Sequence, residues 1–178
     1  YDKIYTMRKP TISAVEGYAV AGGFELAIST DFLLCADECK IGDFHIRRAL
    51  FGGAGPIYRL PRYIGLRKSK ELMLTGKLLS GKEAAAWDLA NASAPAAEFD
   101  KLIQDFCAPM LELSPFCMWM TKKAVNRGLD AGGPLYPLEV MSLVEAILED
   151  PEIILRRQLD MLKGEKMAEL KAAGMPFE

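Results

Sequence analysis

The sequence predicts an α/β fold, and three observations carry that prediction. Short apolar runs of strand length occupy the first part of the chain. Glycines stand where one such run hands over to a helical pattern. Beyond residue 43 the apolar spacing changes to three and four, the period of helices.

Lys9-Pro10 precedes residues 11–15, a run of β-branched and small apolar side chains that reads as a buried strand, and Pro10 keeps it out of any preceding helix. The run ends at Gly17. After Tyr18-Ala19-Val20-Ala21, the pair Gly22-Gly23 opens residues 24–30, where Leu26, Ala27 and Ile28 suit a buried helix. Residues 32–36 form a second predicted strand and Lys40-Ile41-Gly42 a third. The order is strand, glycine turn, helix, strand.

The bend Gly52-Gly53-Ala54-Gly55-Pro56 leads into predicted helices at 57–64 and 66–75, the second closed by Gly76. Ser80-Gly81-Lys82-Glu83 fits a capping box, in which the Ser80 hydroxyl and Glu83 carboxylate satisfy free N–H groups before the helix continues through residues 84–89. Phe99, Leu102, Ile103, Phe106 and Met110 mark one face of the next helix. Ser114-Pro115 starts another, with Ser as cap and Pro at the first helical position. Leu138, Met141, Val144, Ile147 and Leu148 form a broad apolar stripe on a helix ending near Pro151, and a last, charged helix runs over residues 152–173. The expected boundary falls near Ser114, between an α/β core at 1–113 and a helical segment at 114–178 that packs on another subunit or covers its own core.

Hydrophobic residues make up 51% and charged residues 26%, a globular balance, and no apolar run approaches the roughly 20 residues that cross a bilayer. A membrane span is not expected. The net charge of −2, with basic residues spread along the chain, makes nucleic acid an unexpected partner. Cys35, Cys39, Cys107 and Cys117 lack paired metal-site spacing, and His45, the single histidine, completes no cluster with them, so no metal is expected. Reduced thiols in a cytoplasmic compartment are the expectation. The chain begins with Tyr1 and carries no basic-then-apolar leader, and upstream sequence is expected beyond it.

The chemistry concentrates at Gly22-Gly23-Phe24-Glu25. Glycine at a helix start lets the backbone approach a ligand, and the first N–H groups have no acceptor inside the helix. With the helix dipole, such an end favours a phosphate or a developing oxyanion. Glu25 lies three positions after Gly22, about one turn on and on the same side. The same pattern also serves packing and dipole compensation in proteins with no ligand there. It is neither G-x-G-x-x-G nor a P-loop, which disfavours a nucleotide-phosphate cradle.

The run Lys9-Pro10-Thr11-Ile12-Ser13-Ala14-Val15-Glu16-Gly17-Tyr18-Ala19-Val20-Ala21-Gly22-Gly23-Phe24-Glu25-Leu26-Ala27, followed by Asp31 and Ala36, resembles the central signature of the crotonase (enoyl-CoA hydratase/isomerase) family. The likeness continues through Ile41-Gly42, Gly53-Ala54-Gly55, Arg59-Leu60-Pro61-Arg62, Gly65, Leu74-Thr75-Gly76 and Ala84-Ala85. The resemblance implies a crotonase-like spiral of β-β-α units, its N-terminal part absent from these residues, followed by a helical trimerisation segment. It implies an acyl-CoA thioester as substrate, coenzyme A being part of the substrate and no separate cofactor. It gives Gly22 one N–H of an oxyanion hole, Glu25 the part of the hydratases' first catalytic glutamate, and Gly53 an N–H that helps position the water.

Two departures from the family pattern stand out. Counting from Glu25, the place of the second catalytic glutamate is held by His45, and the family's Glu-Gly…Phe-x-Glu-Lys-Arg ending is not found after residue 149. His45 reads either as an acid/base, since imidazole titrates near neutrality, or as a hydrogen-bonded structural residue. Arg47-Arg48 reads as a solvated face, with coenzyme phosphates as the alternative. The expected activity is hydration of a 2-enoyl-CoA by a trimer or dimer of trimers. The alternatives are isomerisation, decarboxylation or hydrolysis of an acyl-CoA, or a non-catalytic assembly protein.

Overall fold

The structure is a computed structural model that describes residues 1–130, with the side chains of residues 1–128. The predicted helices at 138–150 and 152–173 lie outside the described residues. The chain divides into two compact units, Tyr1–Ala108 and Pro109–Glu178.

In the first unit a short helix α1 (Asp2–Tyr5) precedes β1 (Ile12–Val15), β2 (Tyr18–Val20), α2 (Gly22–Ala27), β3 (Phe32–Ala36) and β4 (Lys40–Gly42). A 3-10 turn at His45–Arg48 leads to α3 (Pro56–Thr75), α4 (Gly81–Ala86), β5 (Ala92–Ala94) and α5 (Ala96–Leu111), the last belonging to this unit as far as Ala108. The strands form two parallel sheets, one in the order β1-β3-β5 and one pairing β2 with β4. Consecutive strands thus go to different sheets and a helix follows them, which is the β-β-α repeat of the expected spiral.

The run Phe32-Leu33-Leu34-Cys35-Ala36 is apolar throughout because β3 is the central strand of its sheet and is covered on both faces. Leu33 and Cys35 join the main core with Phe24, Ile41, Leu60, Leu72 and Leu79. Leu34 and Ala36 face the opposite cluster, where α5 contributes Phe99, Leu102, Ile103 and Phe106, the stripe its three-and-four spacing predicts. Fully burying a side chain such as Phe99 contributes about 1.5–3 kcal/mol.

The predicted pair of helices at 57–64 and 66–75 is found as two helical pieces of α3 that meet at Gly65, whose φ of 78° and ψ of 162° are not helical. The capping box is present: the Ser80 hydroxyl accepts the Glu83 N–H at 3.2 Å, and the Glu83 carboxylate accepts the Ser80 N–H at 2.8 Å. Those bonds hold the Glu83 carboxyl below its ordinary range. Two strands go beyond what the sequence pattern predicts. β2 is three residues long and reads as a connector, and β5 is Ala-Ser-Ala, with neither β-branching nor alternation to mark it. Each exists because a partner strand offers it a ladder of N–H and C=O groups.

In the second unit, α6 (Pro115–Asp130) begins as the sequence predicts, with the Ser114 hydroxyl accepting the Cys117 N–H at 3.3 Å. Phe116 and Trp119 pack edge to face on this helix, 6.2 Å between centroids.

Three backbone positions yield direct tests. A β-carbon on Gly81 would lie 2.0 Å from the Ala36 carbonyl oxygen, so α4 can lie on β3 only with glycine there. Gly81→Ala is expected to cost about 3 kcal/mol, the upper end for overpacking, and to lower Tm by roughly 6–12 °C at the usual two to four degrees per kcal/mol. Gly17→Ala, where a β-carbon would meet nothing within 4 Å, should stay within about 0.5 kcal/mol of the parent in the same calorimetric scan. Ala21 links β2 to α2 with φ 49° and ψ −120°, a conformation that costs a non-glycine residue about 1–3 kcal/mol. After the unfolded-state entropy of an added glycine is subtracted, Ala21→Gly should stabilise by about 1 kcal/mol and raise Tm by roughly 2–4 °C. An unchanged or lower Tm would show that the turn is not strained.

Candidate active site

The site is built from the common end of β2 and β4. Val20 pairs with Gly42, so the two parallel strands finish level with each other. One continues through Ala21 into the start of α2, and the other through Asp43 and Phe44 into the turn at His45. The register alone brings Gly22 and His45 to the same edge of the fold, although many positions in sequence separate them.

Gly22 is the first helical residue of α2. Its N-cap, Ala21, makes no side-chain cap, and by geometry the first N–H groups have no acceptor within the helix. The carbonyl of Gly22 accepts the Tyr1 hydroxyl at 3.1 Å, which ties α1 to this turn. One turn on, Glu25 is 6% exposed. A carboxylate so buried needs a donor, and the Ala54 N–H supplies it at 2.9 Å to Oε1. The bond brings the Gly52-Gly53-Ala54-Gly55 bend onto α2. Gly53 sits beside that anchoring amide; it is exposed, and a β-carbon placed on it would meet nothing within 4 Å.

The bend is supported from α3. Arg59 is buried, and its guanidinium lies 3.8 Å from the Tyr5 ring centroid and 4.9 Å from that of Tyr58. A β-carbon on Gly55 would come within 3.1 Å of Arg59 Nε, so the bend and the stacked cation are in van der Waals contact. Gly55, at φ 126°, holds a conformation side chains rarely adopt and serves as the N-cap of α3. Burial pushes the nearby Tyr63 hydroxyl up from its ordinary pKa, with a hydrogen bond to Arg59 and its charge opposing the shift.

The His45 side chain is 15% exposed and lies under the same bend: a β-carbon on Gly52 would fall 2.7 Å from His45 Nδ1 and 3.2 Å from Asp43 Oδ1. The ring nitrogen Nδ1 bonds Asp43 Oδ1, which also accepts the His45 backbone N–H at 3.4 Å. Glu25 and His45 therefore meet the same short bend, one at Ala54 and one at Gly52, while the ring Nδ1 turns to Asp43. Asp43, 4% exposed, is the residue that sequence reasoning missed. A signal for it exists, since a carboxylate two positions before a histidine, at the end of a strand, is within reach of that ring.

The arginine pair and the cysteines lie elsewhere, as does Trp87. Arg47 and Arg48 are exposed, and the Arg47 side chain lies against Gly76. Trp87 packs on the main core and carries the Lys77 ammonium 4.6 Å from its ring centroid. All four cysteines are free thiols. The buried Cys35 and Cys39 share a hydrogen bond, which together with burial pushes Cys35 upward and, against the effect of burial, holds Cys39 down. Among the described residues no group of three or more His, Cys, Asp and Glu is placed to hold a metal ion.

The family model described as Enoyl-CoA hydratase/isomerase matches residues 1–137. The chain is 35% identical over 131 residues to the probable enoyl-CoA hydratase echA8 of Mycobacterium tuberculosis (strain CDC 1551 / Oshkosh), covering 74% of this chain and 51% of that relative. It is 36% identical over 127 residues to the human mitochondrial methylglutaconyl-CoA hydratase, covering 68% and 37%. Among solved structures, it is similar to an enoyl-CoA hydratase from Bacillus anthracis, with TM-score 0.76, 25% identity and 84% of this chain on 58% of that one. An enoyl-CoA hydratase from Mycobacterium tuberculosis H37Rv aligns with TM-score 0.73 and 28% identity, 81% of this chain on 57% of that one. The chain spans about half the length of the first curated relatives it matches. With the signature run folded as a β-β-α spiral and its glutamate seated on the glycine bend, the chain belongs to the enoyl-CoA hydratase/isomerase, or crotonase, family.

Proposed function

We propose that this chain carries the acid/base half of an acyl-CoA active site, and that the protein hydrates a 2-enoyl-CoA. The observation that carries the reading is the buried Glu25 carboxylate, one turn beyond the uncapped start of α2 and hydrogen-bonded at 2.9 Å to the amide next to Gly53. The thioester oxygen accepts the Gly22 N–H. As the Glu25 carboxylate takes a proton from water, the water oxygen bonds the β-carbon and the alkene electrons move toward the thioester oxygen. Donors aimed at that oxygen are worth several kcal/mol because they need no reorganisation when charge arrives. Gly53 offers its N–H to the water. Protonation of the α-carbon, assigned to His45, completes the addition.

The substrate's coenzyme A moiety is a binding handle and no separate cofactor is invoked. A second reading, isomerisation of the double bond, is favoured by His45 itself, because moving a proton between carbons needs an acid/base but no bound water. Mass spectrometry of the products formed from enoyl-, 3-oxoacyl- and malonyl-type thioesters separates the two, since hydration adds the mass of one water and isomerisation adds nothing.

Glu25→Gln keeps the shape but cannot take a proton, and should lower kcat by about 10²-fold or more with little change in thioester Kd. His45→Ala should slow turnover similarly. Unchanged rates in both variants would remove these residues from the chemistry. The 114–178 segment is proposed to assemble the protein as a trimer or dimer of trimers. Light scattering should find a mass three or six times that of the chain, and a monomer would refute the assignment.

A further inference from the structure

We infer that Asp43 is a positioning residue, and that Asp43 and His45 act as one acid/base unit at the site. The inference rests on the reading just given, in which His45 protonates the α-carbon.

An ionised carboxylate only accepts hydrogen bonds. The nitrogen facing Asp43 Oδ1 is Nδ1, so Nδ1 carries the hydrogen and the neutral ring keeps its lone pair on Nε2. The same Oδ1 takes the His45 backbone N–H, which fixes the carboxylate on the turn that carries the ring. Gly52 leaves room for both groups, since a side chain there would crowd Nδ1 and Oδ1. The Asp43 side chain is 5% exposed and the His45 side chain 15%, so the ring is the more open partner. One group is the anchor and the other is presented.

The pair has the charge states of a single glutamate. With neutral His45 it carries −1, and with imidazolium it carries zero. It can therefore give one proton from Nε2 without leaving an unpaired cation in the site. The addition balances as follows: water gives its oxygen to the β-carbon and a proton to Glu25, and imidazolium Nε2–H gives a proton to the α-carbon. The site resets when a proton passes from Glu25 to His45 through solvent. A lone histidine in this place would expose a full positive charge beside Glu25 in one state and present either nitrogen in the other.

Because His45 is the chain's single histidine, long-range ¹H–¹⁵N correlation spectra of the intact, ¹⁵N-histidine-labelled protein read its tautomer without assignment. The expected spectrum of the neutral ring has a hydrogen on Nδ1 and a lone pair on Nε2. Asp43→Ala should shift that ring toward the Nε2–H form and lower kcat by about 10²-fold at unchanged KM, the low end of a positioned acid/base contribution. Asp43→Asn keeps an acceptor oxygen and should retain more of the Nδ1–H form and more of the rate. It also serves if Asp43→Ala fails to fold. The double variant Asp43→Ala/His45→Ala should be no slower than His45→Ala alone. A wild-type ring with its hydrogen on Nε2, or a folded Asp43→Ala protein with the wild-type kcat, overturns the inference. The spectra need no substrate. A protein without turnover on any thioester sinks the functional reading, while the tautomer still decides whether Asp43 holds the ring.

Discussion

The hydrogen bond from the Ala54 amide to the Glu25 carboxylate is the constraint on which the site depends. Glu25 is buried at the start of a six-residue helix, where a charged oxygen without a donor would cost more than the helix contributes. A single backbone N–H answers that demand. In doing so it fixes the path of the glycine bend, and with it the placement of Gly53 and of the first turn of α3. The bond joins residues 29 apart in sequence, so it is a tertiary link between the start of α2 and the bend that leads into α3.

The bend resists collapse from the other side as well. Arg59 lies against Tyr5 and Tyr58, and Gly55 leaves the guanidinium room to approach the backbone. A cation stacked on rings keeps its favourable field while it gives up much of its hydration, and here that field sits under a loop whose amides serve an anion. The Nε atom has no hydrogen-bond partner among the described residues, which the aromatic faces on the cation partly offset. Rigid support of this kind lets a loop hold a carboxylate and a histidine in register without a longer secondary-structure element.

Much of this is legible in the sequence where a residue's local chemistry decides its conformation. Ser80 and Glu83 announce their helix because the two bonds they make lie within three residues. Gly65 announces the break in α3, and the stripe from Phe99 to Phe106 announces the face that α5 buries. What escapes a sequence reading is set by partners far along the chain. Nothing in Ala92-Ser93-Ala94 favours a strand until β3 lies beside it. Tyr18-Ala19-Val20 looks like a connector until β4 pairs with it. Glu25 and Gly22 stand out through the signature run, whereas Asp43 does not, because its part appears only when the turn brings its carboxylate back onto the ring two residues on.

The pairing of Asp43 with His45 also bears on how a histidine and a buried glutamate can serve the same bend. Two carboxylates on one bend repel, and their titrations couple, so that one of them is driven toward the protonated state. An imidazole alone removes the repulsion but brings a mobile ring with two nitrogens of unassigned role. On the proposed pairing Nδ1 is tethered to a buried aspartate, so the pair keeps the charge of a carboxylate while Nε2 remains the nitrogen that exchanges the proton. The arrangement demands a glycine at 52, a strand end level with Val20, and a turn tight enough to fold residue 45 back onto residue 43. Each of these is met, so the orientation of the ring rests on Asp43, His45 and Gly52 together, and a histidine here without the other two would have no fixed nitrogen.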